Sequence, residues 1–207
     1  MTTTSVERRR ALGLLARGAC ALAVAGLLSA CGNDALSFRN VDVTGADYAK
    51  DFSLADHTGK ARTLADFRGK VVVMFFGFTQ CPDVCPTTMA EMRAVVDALG
   101  PDGDRVQVLF VTVDPERDTQ SLLAQYVPSF HPSFIGLYGD AATTTRTAQQ
   151  FKVFFQKVPG SAAGTYTVDH TAGSYVYDPQ GRLRLFVRHG QAASLVEDIR
   201  TLLRTAG

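Results

Sequence analysis

Two nearly continuous apolar runs constrain this chain most: Val71 to Phe76 (VVVMFF) and Val106 to Val113 (VQVLFVTV). A strand with one wet face alternates apolar and polar residues; runs like these must be covered on both faces. Between them, Pro86 to Leu99 reads as a helix, with Met89, Met92, Val96 and Leu99 spaced by three and four and Gly100-Pro101 as the stop. After the second run, Asp114-Pro115-Glu116-Arg117-Asp118-Thr119 has the composition of a helix start leading to Leu122, Leu123 and Tyr126. Phe134 to Tyr138 then reads as a short strand, 140–152 as a helix and 159–165 as a Gly/Ala-rich loop. Tyr175 to Tyr177 and Leu183 to Val187 flank the turn Asp178-Pro179-Gln180-Gly181, a hairpin signal, and Ala192 to Leu203 closes the chain as an amphipathic helix. Ahead of the first run, residues 41–67 hold short alternating pieces around an Asp-His-Thr-Gly turn at 56–59, which reads as an N-terminal β-hairpin extension. The expected class is α/β, with a central mixed sheet and helices on both faces.

The first thirty residues read as an address. Arg8-Arg9-Arg10 precede a stretch rich in Ala, Leu, Val and Gly that Arg17 interrupts, and the apolar part after Arg17 is about thirteen residues, short for a spanning helix. It ends in Leu28-Ser29-Ala30-Cys31, which resembles the lipobox of bacterial lipoproteins and makes Cys31 the expected lipidated residue. Residues 1–30 are then a signal peptide, 31–40 a polar tether and 41–207 the domain, exported and membrane-anchored on the periplasmic side. With 1–30 removed, 17 basic and 19 acidic residues remain of the original 21 and 20. No basic stripe follows the first twenty residues, which excludes a nucleic-acid footprint.

Four cysteines are too few for a disulfide scaffold, so their placement matters more than their number. Cys81 and Cys85 sit in Phe78-Thr79-Gln80-Cys81-Pro82-Asp83-Val84-Cys85-Pro86, where the first strand meets its helix. A cysteine pair at that junction points to a thioredoxin-like domain. Residues four apart share a helix face, Pro86 suits a first helical position, and the positive helix end favours thiolate at Cys85. Such a pair either closes to a disulfide and exchanges with a partner's thiols, or holds a soft metal. The three intervening residues widen the loop relative to Cys-x-x-Cys. Two thiolates suit Cu(I), and an added imidazole also accommodates Cu(II). Of the four histidines, His57 and His131 read as exposed bystanders in loops, and His189 follows a strand end. His170, in Thr167-Val168-Asp169-His170-Thr171, is the best placed, in the loop entering the Tyr175 strand.

Cys81-Pro-Asp-Val-Cys85-Pro86, Val113-Asp114-Pro115-Glu116-Arg117-Asp118-Thr119 and Asp169-His170-Thr171, in this order, resemble the Sco/SenC family of copper-binding proteins. The likeness covers most of residues 45–205. It implies a thioredoxin-like fold, one copper held by Cys81, Cys85 and His170, a Cys81–Cys85 disulfide on oxidation, and a role in assembling the copper site of cytochrome c oxidase. The implied partners are the copper-site subunit of the oxidase and a copper donor or thiol reductant, with the membrane met through the lipid anchor. Asp169 could orient the imidazole or face the surface. A rival reading uses the same cysteines to keep the oxidase's copper-site cysteines reduced and gives His170 no ligand role. A peroxidase of the peroxiredoxin kind needs Thr-x-x-Cys, which Thr79-Gln80-Cys81 does not supply.

Overall fold

The structure, a computed structural model, describes residues 36–205. The expected signal peptide and Cys31 lie outside the described residues. In chain order the strands are β1 (Val41–Asp42), β2 (Leu54–Asp56), β3 (Ala61–Arg62), β4 (Val71–Gly77), β5 (Val106–Thr112), β6 (Ile135–Tyr138), β7 (Phe155–Pro159), β8 (Tyr166–His170), β9 (Gly173–Tyr177) and β10 (Leu183–Arg188). The helices are α1 (Val84–Leu99), α2 (Gln120–Phe130), α3 (Ala141–Gln150) and α4 (Leu195–Arg204). None of these helices is long and apolar enough to cross a membrane.

Every residue of β4 and β5 is buried, as the two apolar runs require. They lie parallel, with Val71 opposite Val106 and Gly77 opposite Thr112, and α1 makes the crossover between them. A second crossover through α2 sets β6 parallel to β5. The other pairings are antiparallel, giving a mixed sheet in the order β1-β10-β9-β4-β5-β6-β2-β3. Successive residues of β4 point to opposite faces. On the Phe75 face lies α1, packed against α2 and α4. On the Phe76 face, Phe151 just beyond α3 stacks 5.1 Å from Phe76 and 5.5 Å from Tyr175.

Three expectations need correction, and the hairpin gains its place in the sheet. The tether does not run to residue 40: Asp198 of α4 accepts the Arg39 N–H at 2.8 Å and the Asn40 N–H and Nδ2 at 3.0 and 2.8 Å, and the compact unit begins at Phe38. The 56–59 hairpin forms, but as the far edge of the sheet, because β2 pairs with β6. His57 is therefore no exposed bystander: its Nδ1 accepts the Gly136 N–H at 2.9 Å and its own N–H donates to the Gly136 carbonyl at 2.8 Å. Finally, the stretch before β9 is not only loop. β7 and β8 form a separate two-stranded ribbon, pairing Phe155 with His170 and Pro159 with Tyr166.

The edge hairpin depends on Asp56, which is buried and accepts hydrogen bonds from the Thr58 N–H and hydroxyl (2.8 and 2.6 Å), the Lys60 N–H (3.1 Å) and Arg62 Nε (2.8 Å). Burial pushes its carboxyl up, but the bonds from Thr58, Arg62 and Lys60 outweigh it and hold the group well below the usual carboxylate range. A carboxylate whose folded pKa lies below its unfolded value of ~3.9 adds stability above that pH and loses it as acid approaches the folded pKa. Urea midpoints of the wild type should therefore decline from about pH 5 downward. Asp56→Asn should cost about 1–3 kcal/mol at pH 7 and flatten that acid slope.

Candidate metal centre

β4 ends at Gly77, and the chain turns through Phe78–Asp83 into α1. The close approach of the helix to the strand end depends on that glycine. A Cβ there would lie 2.9 Å from Cys85 Sγ, 2.7 Å from Phe75 Cε1 and 3.0 Å from Phe110 Cε2. The helix starts at Val84 rather than Pro86, so Cys85 is its second residue and Pro86 its third, where the missing N–H still has no intrahelical partner to lose. Both cysteines are free thiols, Cys85 fully buried and Cys81 partly exposed, and the Cys85 N–H donates to Cys81 Sγ at 3.4 Å. The helix end does not make Cys85 a thiolate. Burial pushes its thiol far up, only partly offset by a backbone hydrogen bond at Phe78, and desolvation outweighs the dipole.

His170 closes the group from the last position of β8. Its Nε2 lies 3.4 Å from Cys85 Sγ and its Nδ1 3.1 Å from the Thr171 carbonyl oxygen. A carbonyl only accepts, so Nδ1 carries the proton and the Nε2 lone pair faces the sulfur. Burial lowers the His170 pKa, against the Thr171 carbonyl and the Asp169 charge, and the imidazole is neutral. Phe75 and Phe78 hold the ring edge-on, with centroids 6.0 and 5.9 Å away. Asp169 is exposed and makes no bond to the ring, whose orientation comes from Thr171 instead.

The ligand atoms of Cys81, Cys85 and His170 all lie within 4.8 Å of one another, and among the described residues no other trio of Cys, His, Asp or Glu side chains does so. An ion held at roughly 2.0–2.3 Å by sulfur and nitrogen needs donors about 3.5–4 Å apart, so the set fits a small soft cation. A cleft of ≈ 240 Å³, lined by Phe78, Cys81, Pro82, Val84, Asp169 and His170, opens onto it. The remaining histidines stand elsewhere: His131 Nδ1 bonds Ser133 Oγ at 2.8 Å, and exposed His189 reaches Thr88 Oγ1 at 3.3 Å.

The SCO1/SenC family model matches residues 41–204. The chain belongs to that family. The mitochondrial SCO2 homologue of Danio rerio is 40% identical over 158 residues, covering 75% of this chain and 57% of the relative. A SCO2-like protein of Rickettsia felis is 34% identical over 74% of each chain. Against the zebrafish protein, then, the chain spans a little over half the relative's length. Among solved structures, Bradyrhizobium japonicum ScoI with copper bound superposes with a TM-score of 0.66 at 40% identity, covering 72% of this chain and 96% of that one. Apo Sco1 from Thermus thermophilus gives 0.72 at 40% identity over 82% and 99%. These neighbours share the thioredoxin-like architecture expected from the sequence.

The segment Asp114–Thr119 does more in this Sco-family domain than begin a helix. Thr119 alone caps α2, its Oγ1 accepting the Leu122 N–H at 3.2 Å. Asp118 is buried and accepts the Thr79 N–H and hydroxyl at 3.0 and 2.6 Å and the Thr112 hydroxyl at 2.6 Å, which ties the cysteine loop to the end of β5. Asp114, also buried, pairs with Arg117 and accepts the Tyr166 hydroxyl at 2.8 Å. The signal was present as two aspartates just beyond a largely apolar strand. Gly77→Ala tests the packing that seats Cys85. It should lower stability by about 1–3 kcal/mol and speed modification of Cys85 by a thiol reagent, which in the wild type should lag behind Cys81.

Proposed function

We propose that this domain is a copper chaperone that holds one copper ion through Cys81 Sγ, Cys85 Sγ and His170 Nε2. The observation that carries the reading is the convergence of two thiols and a neutral imidazole nitrogen beside one cleft, with Cys81 and His170 in its wall and Cys85 buried behind them. The copper-bound relatives from Bradyrhizobium japonicum and yeast support the choice of ion. The family resemblance supplies the recipient, the copper-site subunit of a respiratory cytochrome c oxidase. Three protein donors leave one side of the ion open to the cleft, where an incoming ligand can displace them in turn without bond chemistry on an organic substrate. Oxidation to a Cys81–Cys85 disulfide removes both thiolates and couples loading to redox state.

Because Cys85 is held as a thiol when no cation is near, binding must release its proton. Copper affinity should accordingly rise with pH and fall in acid. The reduced soluble domain should take up one copper per chain and, as Cu(II), show a thiolate charge-transfer band. His170→Ala should lose or shift that band and weaken binding by at least about tenfold; unchanged affinity and spectrum would overturn the ligand set. The thiol-reductant reading rests on partly exposed Cys81, the sulfur a partner's disulfide can reach. It requires a mixed disulfide at Cys81 that accumulates in Cys85→Ser.

The domain is further proposed to work outside the cytoplasm as a lipoprotein anchored through Cys31. Its support is the order of basic residues, apolar stretch, small residues and cysteine at the start of the chain. Cys31→Ser should move the protein from the membrane fraction to the soluble one; retention at the membrane would refute the anchor.

A further inference from the structure

Two of the three donors sit in the β4–α1 loop and the first turn of α1, but the third does not. His170 belongs to the β7–β8 ribbon, which pairs with no strand of the main sheet. In β8 the residues Tyr166, Val168 and His170 share one face, and Val168 is buried. The ribbon strand is tied at its His170 end by the short link into β9, and whatever seats Tyr166, about 13 Å away along the same strand, is its anchor at the other end.

What seats Tyr166 is Arg117. Its Nε donates to buried Asp114, and its Nη1 donates to Gln80 Oε1 at 3.1 Å and to the Tyr166 carbonyl at 2.9 Å. The guanidinium carbon lies 3.7 Å from the centre of the Tyr166 ring and 5.7 Å from that of Phe78. The Tyr166 hydroxyl returns to Asp114 at 2.8 Å. One guanidinium thus joins the loop after β5, the residue beside Cys81, and the first residue of the strand that ends in His170. A planar fork that also stacks on an aromatic ring is a role that lysine cannot copy. At the rim of the same seam, Lys157 of β7 pairs with Glu116 at 2.6 Å, but both side chains are about half exposed, and such a pair contributes little.

We propose that Arg117 is a positioning residue that clamps the β7–β8 ribbon onto the cysteine loop and fixes the distance between His170 Nε2 and Cys85 Sγ. Opening of this clamp withdraws the imidazole while both cysteines stay in place. If the site carries copper, as proposed above, that motion opens one coordination position for transfer.

The clamp is tested first in the metal-free protein. Arg117→Lys keeps a cation beside Asp114 but loses the fork and the stack. It should speed amide exchange in β7 and β8 by about tenfold or more while β4 and β5 are unaffected, and it should shift the His170 ring resonances. Tyr166→Leu, which removes the ring without unpairing the buried charges, should do the same. Glu116→Gln should leave both readouts as in the wild type. Ribbon exchange and His170 resonances unchanged in Arg117→Lys and Tyr166→Leu would overturn the clamp, as would equal acceleration throughout the sheet. In the copper arm, Arg117→Lys should release copper to a chelator about 10–100-fold faster, with its Cu(II) band moved toward that of His170→Ala. An unchanged release rate would overturn the role in transfer. A wild type that binds no copper would sink the chaperone reading while the exchange experiment still decides the clamp.

Discussion

Cys85 is buried in the first turn of a helix, against a strand end with no side chain to obstruct it, and the chemistry of the site follows from that burial. Two effects oppose each other there. The helix N-terminus favours a thiolate by at most ~1–2 kcal/mol, whereas removing the sulfur from water penalises the charge by more. The thiol wins, and the same desolvation keeps His170 neutral. The two buried donors, Cys85 and His170, are therefore both held in their uncharged forms. A cation is what makes a buried thiolate affordable, because it supplies the opposite charge that water no longer does.

A site built this way needs its donors held in place before the ion arrives, and the residues that hold them are not ligands. Asp118 gathers Thr79 and Thr112, fixing the approach to Cys81 from the strand side. Asp114 gathers Arg117 and Tyr166, fixing the ribbon that ends in His170. Each carboxylate is buried and each is matched by donors, so neither is left as an unpaired charge. One short loop thereby serves as the common reference for the Cys81 loop and for the strand that ends in His170.

Much of this was legible in the sequence. VVVMFF and VQVLFVTV have the pattern of buried strands, and the spacing of Met89, Met92, Val96 and Leu99 that of a helix with one apolar face, as the structure has them. The spacing of Cys81 and Cys85 pointed two sulfurs toward one pocket. The parts missed depend on partners distant in the chain. The β7–β8 ribbon has a half-exposed pattern with no clear period, interrupted by a Gly/Ala/Ser turn, so nothing local distinguishes it from loop. His57 looks exposed in its turn until Gly136, 79 residues on, supplies a donor and an acceptor. Asp114-Pro115 has the composition of a helix start whether or not its carboxylate caps anything, and only the fold shows Arg117 and Tyr166 around it.

The two sulfurs are unequal, which gives the proposed transfer a direction. Cys81 and His170 line the cleft, while Cys85 lies beneath them and takes no part in its wall. A ligand arriving from a partner meets the ion from the cleft side, so it competes first with the imidazole and with Cys81. In the proposed exchange His170 would leave at the lowest cost, because its departure creates no free thiolate. Cys81 can follow by taking a proton from water at the partly exposed mouth. Cys85 must leave last, since a buried thiolate without its cation is the least stable species in the sequence of exchanges and is relieved only by reprotonation. On the proposed ligand set, burial would thus order the donors from loosest to tightest along a path from solvent to core.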